Sequence, residues 1–291
     1  MAPLYLPGGA KVTTSDNKLP LLEAEEWERV RDGMQAYARV LGKIRGTVAP
    51  HQKHFWHTSL RTHARGLTTT NIPTSWGAFE IRLDFHDGHA TLISSAGKAG
   101  RLSLPDLSAR RLATLFLAKL DDWGIELDFT PEAFDDVALA QGDIPTMREV
   151  WRLMVWADSL LKHVRAGQRV ETSAVQIWPH HFDVSMLWIS GDLVAKKDPE
   201  DPEKSDEQVN VGFSFGDLAH PRPYLYLTVY PGLDGFPEKP LPDFAEWNTD
   251  GWTGVRIPYD NLQENPRAVR EVLDLFNLLI DSAASLFKEG H

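Results

Sequence analysis

Phe79-Glu80-Ile81-Arg82-Leu83-Asp84-Phe85-His86, then Asp87-Gly88, then Ala90 to Ser95, is the stretch that decides the fold. Successive side chains of an extended backbone point to opposite faces. Phe79, Ile81, Leu83 and Phe85 therefore form one apolar side, and Glu80, Arg82, Asp84 and His86 a polar one. Asp-Gly supplies the two residues that a tight hairpin turn needs, because both tolerate positive φ. The stretch predicts two antiparallel strands with one face to be covered, and the cover has to come from other elements.

Those elements flank it. Between residues 23 and 48, Trp27, Val30, Met34, Tyr37, Leu41, Ile44 and Val48 recur every three or four positions, the signature of one buried helical stripe. Pro50 ends that helix, and His54 to Arg65 reads as a strand with His57, Ser59, Arg61, His63 and Arg65 on one face. Downstream, Ser108 is the expected N-cap of a helix carrying Leu112, Leu115, Phe116, Leu120 and Trp123, and Gly124 is its stop. Thr146-Met147-Arg148-Glu149 reads as a capping box that opens a further long helix. Strand patterns at 173–190, 209–215 and 223–230 follow, and Asn265-Pro266 starts a last helix striped by Val269, Leu273, Phe276, Ile280 and Phe287.

The expected class is α+β: antiparallel sheet with long helices packed on one face, arranged as two similar halves of one globule. The expected divisions are a leader at 1–22, a first half at 23–130, an acidic connector at 131–145 and a second half at 146–291. The run Lys196 to Gln208 reads as a solvated mobile loop, and the Pro/Gly-rich segment 231–258, with Trp247 and Trp252, as an aromatic cover.

Composition narrows function by exclusion. A formal charge of −11 repels phosphate backbones, so nucleic acid is not an expected partner. No cysteine is present, which removes disulfides, thiolate nucleophiles and thiolate metal sites. No segment reads as a signal peptide or a membrane helix, and a cytoplasmic location is the expectation. The chain contains no G-x-S-x-G elbow, P-loop, dinucleotide fingerprint or H-E-x-x-H pair, so no motif implies a cofactor.

Ten Trp, thirteen Phe and six Tyr are enough to line a pocket as well as fill a core. Gln176-Ile177-Trp178-Pro179-His180-His181-Phe182-Asp183 mixes large aromatics with imidazoles and a carboxylate. Read as extended, it points His181 and Asp183 to one side and His180 and Phe182 to the other. Tyr224, Tyr226 and Tyr230 share a strand face opposite Leu225, Leu227 and Val229.

These landmarks, together with Arg65-Gly66-Leu67-Thr68-Thr69, Gly212-Phe213-Ser214, Tyr230-Pro231 and Pro258-Tyr259, resemble those of a bacterial family of unknown function over nearly the whole chain. Some related members resemble this chain at the central landmark but carry His where it has Gln176, which argues against an essential ligand or base at that position. The resemblance implies no activity, cofactor or substrate.

Three functional readings stay open from the residues. The first is a small-ligand pocket, with Trp178, Tyr224 and Tyr226 for contact and Arg61, His181 and Asp183 for polar recognition. The second is a metal-dependent hydrolase with a divalent ion on His57, His181 and Asp183. The third is an interaction module that presents Trp247 and Trp252 to a protein partner.

Overall fold

A computed structural model describes residues 19–23, 25–236 and 239–289 of the chain. Most of the expected leader lies outside these residues. The fold is α+β, with four helices and two antiparallel six-stranded sheets among the described residues.

Helix α1 (Trp27–Val48) buries the stripe predicted for it, with Val30, Met34, Leu41 and Ile44 fully enclosed and Tyr37 nearly so. Ala49 then turns extended, as a residue before proline should. In the last turn, Arg45 donates to the carbonyls of Thr69 (2.8 Å), Trp56 (2.9 Å) and Ser59 (2.6 Å), so the helix end holds the segment that follows.

That segment departs from the predicted strand. Residues Lys53–Thr58 form a 3-10 turn in which His54 and Phe55 both have left-handed φ (54° and 53°). The extended strand β1 covers only Arg61–His63. Two consecutive non-glycine residues with positive φ break the two-residue alternation on which the strand expectation rested. His57 and Arg61 consequently do not share a strand face.

The first sheet adds β2 (Gly66–Thr68), β3 (Ile72–Thr74), β4 (Gly77–Asp84), β5 (His89–Ser94) and β6 (Ala99–Ser103), in the order β1-β2-β4-β5-β6 with β3 also on β4. The deciding stretch forms its centre. Leu83 pairs with Ala90 and Asp84 with His89, while Phe79, Ile81, Leu83 and Phe85 are no more than 1% exposed. Full burial of each such side chain contributes about 1.5–3 kcal/mol. Helix α2 (Ala109–Asp121) begins as predicted, with Ser108 Oγ accepting from the amide of Arg111 at 3.2 Å.

Helix α3 (Ile144–Gly167) starts two residues before the expected capping box. Pro145 takes a first-turn position, where its missing N–H is harmless. Asp143 just ahead of it is held by Arg29 at 2.6 Å and accepts from the Ala140 amide at 2.8 Å.

The second sheet comprises β7 (Gln176–Trp178), β8 (Asp183–Leu193), β9 (Asp206–Ser214), β10 (Tyr224–Tyr230), β11 (Glu246–Asn248) and β12 (Gly254–Pro258). Its order is β11-β12-β10-β9-β8-β7. The continuous strand expected at 173–190 is instead a hairpin: β7 turns at Pro179 to Phe182, where Phe182 has φ 56°, and returns as β8. The cover expected at 231–258 holds two strands, β11 and β12. Asn265 Oδ1 accepts from the Arg267 amide (2.8 Å) just before helix α4 (Ala268–Glu289).

Trp188 of β8 stacks on Phe287 of α4, and Phe213 of β9 meets Trp156 of α3 edge-on, so this side of β8 and β9 faces helices. The opposite side carries Asp183, Ser185, Gln208, Asn210 and Tyr226. The two sheets join through one β-bridge, Leu60 with Ile177, whose reciprocal N–H···O bonds measure 2.9 and 3.0 Å.

Candidate functional site

The side of the second sheet opposite α3 and α4 holds a cleft of about 590 Å³. Its floor comes from alternate residues of adjacent strands: Asp183, Ser185 and Leu187 of β8, Gln208 and Asn210 of β9, and Thr228 and Tyr230 of β10. The rim comes from the two segments that sequence periodicity misassigned. The 3-10 turn contributes His54, Phe55 and Thr58, and the β7–β8 hairpin contributes Trp178, His180 and His181.

Register explains the centre of the floor. Ser185, Gly212 and Tyr226 lie opposite one another on β8, β9 and β10. The Tyr226 phenol crosses β9 and donates to Asp183 Oδ2 at 2.6 Å. It can do so only because position 212 is glycine: a Cβ there would sit 2.3 Å from Tyr226 Cζ and 2.4 Å from its hydroxyl. Trp178 Nε1 donates to Ser185 Oγ at 2.9 Å, which fixes the indole at the cleft wall.

Asp183 is 9% exposed, and its other oxygen, Oδ1, is buried with no hydrogen-bond partner. Burial pushes its carboxyl above the usual range, and the bond from Tyr226 and the proximity of His181 only partly offset this. Burial, followed by the facing carboxylate, pushes the Tyr226 phenol well up in turn. Two further cleft-lining residues have a buried oxygen without a partner, Gln208 Oε1 and Asn210 Oδ1. A buried polar atom left unpaired carries a penalty of about 1–3 kcal/mol that a ligand can relieve.

The expected site residues separate on this geometry. Trp178, His181 and Asp183 line the cleft, and Tyr226 reaches it through Asp183. His180 and His181 both lie exposed in the hairpin turn, not on opposite sides of a strand. Tyr224 is directed elsewhere: its hydroxyl donates to Asp217 Oδ2 (2.6 Å) and its ring stacks on Trp252 at 6.2 Å.

Arg61 belongs to the junction between the sheets. Its Nη1 donates to Ser59 Oγ (2.9 Å), the Leu60 carbonyl (3.1 Å) and Gln176 Oε1 (3.0 Å). Burial and the neighbouring Arg45 lower its guanidinium to about 10.

The metal set His57, His181 and Asp183 is not assembled. His57 packs on the ring of His51 (4.5 Å between centroids) and accepts from the Gln52 amide, outside the cleft lining. Its imidazole is lowered by burial and by His51. Among the described residues no three His, Cys, Asp or Glu side chains gather as a metal site would require. Trp247 and Trp252 are both half-buried. Trp247 donates to the Lys239 carbonyl (2.8 Å) and meets Phe236 edge-on, and Trp252 covers Tyr224.

Periodicity missed His54, Phe55, Gln208 and Asn210 as lining residues, whereas Tyr230, placed on the tyrosine face, does line the cleft. One usable signal was present: Gln208, Asn210 and Gly212 alternate with Val209, Val211 and Phe213, a polar face unlike an ordinary core strand. The run ahead of β9 is not a free loop either. Lys53 Nζ and His54 Nε2 both reach Asp206 at 2.7 Å, and the His54 amide donates to the Pro202 carbonyl, so the run is tied to the rim. No helix among the described residues is long and apolar enough to cross a membrane.

A model of a family of unknown function, DUF5996, matches residues 19–288, and the chain belongs to that family. No curated protein and no solved structure matches it.

Proposed function

We propose that this member of the DUF5996 family is a small-molecule-binding protein whose ligand sits in the cleft over β8, β9 and β10. The observation that carries this reading is the buried, unpartnered Oδ1 of Asp183 in the cleft floor, with Oδ2 positioned by a tyrosine that needs a glycine beneath it. A fold whose only requirement was stability would gain from pairing or removing such an oxygen. The volume and the mix of aromatic walls with a few convergent polar groups match ordinary ligand pockets.

The test is a thermal-shift screen of metabolites, repeated on Thr228→Trp, which fills the cleft from β10. A ligand at a hundred times its Kd raises stability by about 2.7 kcal/mol. Hits on the wild type that vanish in Thr228→Trp are the expected result. Hits that persist unchanged in the filled variant, or silence across the library, defeat the reading.

A further inference from the structure

We infer that the cleft takes a cation, an organic ammonium or guanidinium carried on an apolar body. The inference rests on the small-molecule reading and names the chemistry of the ligand. Apart from histidines and Tyr230, the ionisable side chains lining the cleft are carboxylates, Asp183 and Glu203, and no lysine or arginine lines it. The buried lining atoms left without partners are all oxygens, on Asp183, Gln208 and Asn210. An acceptor-only set is completed by a group rich in N–H donors.

Basic side chains beside the rim and the sheet junction are already engaged. Lys53 and His54 are bonded to Asp206, and Arg61 is bonded to Ser59, Leu60 and Gln176. Trp178, Tyr230 and Phe55 supply aromatic surface, whose faces attract a cation and whose area shelters an apolar body.

Asp183 fits the role of counter-ion. Tyr226 occupies Oδ2 and leaves Oδ1 for one donor. The titratable groups that act on it are Tyr226 from β10 and His181 from the hairpin turn, and Tyr224 is in turn influenced by it. Burial raises the carboxyl, so it holds a proton more tightly than usual, and an arriving cation stabilises the ionised form. Affinity for a cation is therefore full above the raised value of Asp183 and falls as pH drops through it.

Calorimetry with three probes of one body tests this: phenethylamine, 2-phenylethanol and phenylacetate. The expected order is amine first, with the alcohol bound at least about tenfold more weakly, a difference of ~1.4 kcal/mol, and phenylacetate weaker still. Asp183→Asn removes the preference for the amine. Glu203→Gln, at an exposed position, reduces it by about two- to threefold and leaves melting unchanged, consistent with a solvent-screened charge. Equal binding of amine and alcohol, tighter binding of phenylacetate, or undiminished amine binding by Asp183→Asn overturns the inference while library hits blocked by Thr228→Trp keep the pocket reading standing. Absence of amine binding overturns it as well, and the library screen then decides the pocket reading separately.

Discussion

Asp183 opens strand β8 and Asp206 opens strand β9, and the two carboxylates are almost equally buried, at 9% and 8% exposure. Their surroundings differ. For Asp206, burial alone would raise the carboxyl, but the bonds from Lys53 and His54 outweigh it and hold the group below its usual range. For Asp183, burial outweighs the bond from Tyr226, the proximity of His181 and the residue's own backbone N–H. Near-equal surface exposure therefore does not give the two carboxyls the same electrostatics. Asp206 clamps the rim through its bonds to Lys53 and His54, whereas Asp183 is enclosed with Oδ1 unpaired.

The largest expected effect breaks the Asp183 end. In Gly212→Ala the new methyl takes the space of the Tyr226 ring, so the phenol leaves Asp183 and Oδ2 joins Oδ1 in being unpaired. A loss of about 3 kcal/mol is expected, together with loss of cleft binding, read by urea unfolding and the ligand screen. A wild-type unfolding midpoint for this variant would show that Tyr226 does not need the glycine.

Next comes the contrast itself. Asp206→Asn loses two charge-assisted bonds and should be destabilised by about 2 kcal/mol, whereas Asp183→Asn should be neutral or stabilised by up to about 1 kcal/mol, because it removes a desolvated charge. Equal destabilisation of the two variants in chemical denaturation would erase the distinction.

The pH response sharpens the same comparison. A carboxyl raised in the folded state favours folding below its ordinary 3.8 and loses that contribution as pH climbs through its raised value. A lowered one, Asp206, contributes above 3.8 and loses that contribution as pH falls below it. Melting curves across pH should therefore show Asp183→Asn flattening the decline above 3.8, and Asp206→Asn flattening the decline on the acid side. The smallest effect is that of Lys53→Met, whose half-exposed ammonium should contribute less than about 1 kcal/mol and lose even that at high salt.

The elements that were legible are those whose signals are local. Helix α1, the β4–β5 hairpin and the Ser108 cap each declare themselves within a few residues of sequence. The cleft is assembled from the opposite kind of information. His54, Phe55 and Phe182 take left-handed backbone without a glycine to announce it, so two segments read as strands are turns that form the rim. Asp206 looked like one more charge in an acidic run because His54 lies 152 positions away. Asp183 and Tyr226 were identifiable as candidates, but their bond depends on Gly212 sitting between them, which only strand register reveals. The metal expectation failed for the same reason, since His57 was placed by an alternation that the 3-10 turn interrupts.

The Leu60–Ile177 bridge has a mechanical consequence. Each of those two amides donates across the seam, so their protection from solvent exchange persists only while both six-stranded layers are folded and docked. They are built-in gauges of the coupling between the layers. Because Ile177 lies one residue before Trp178, the seam and the cleft wall share the short strand β7.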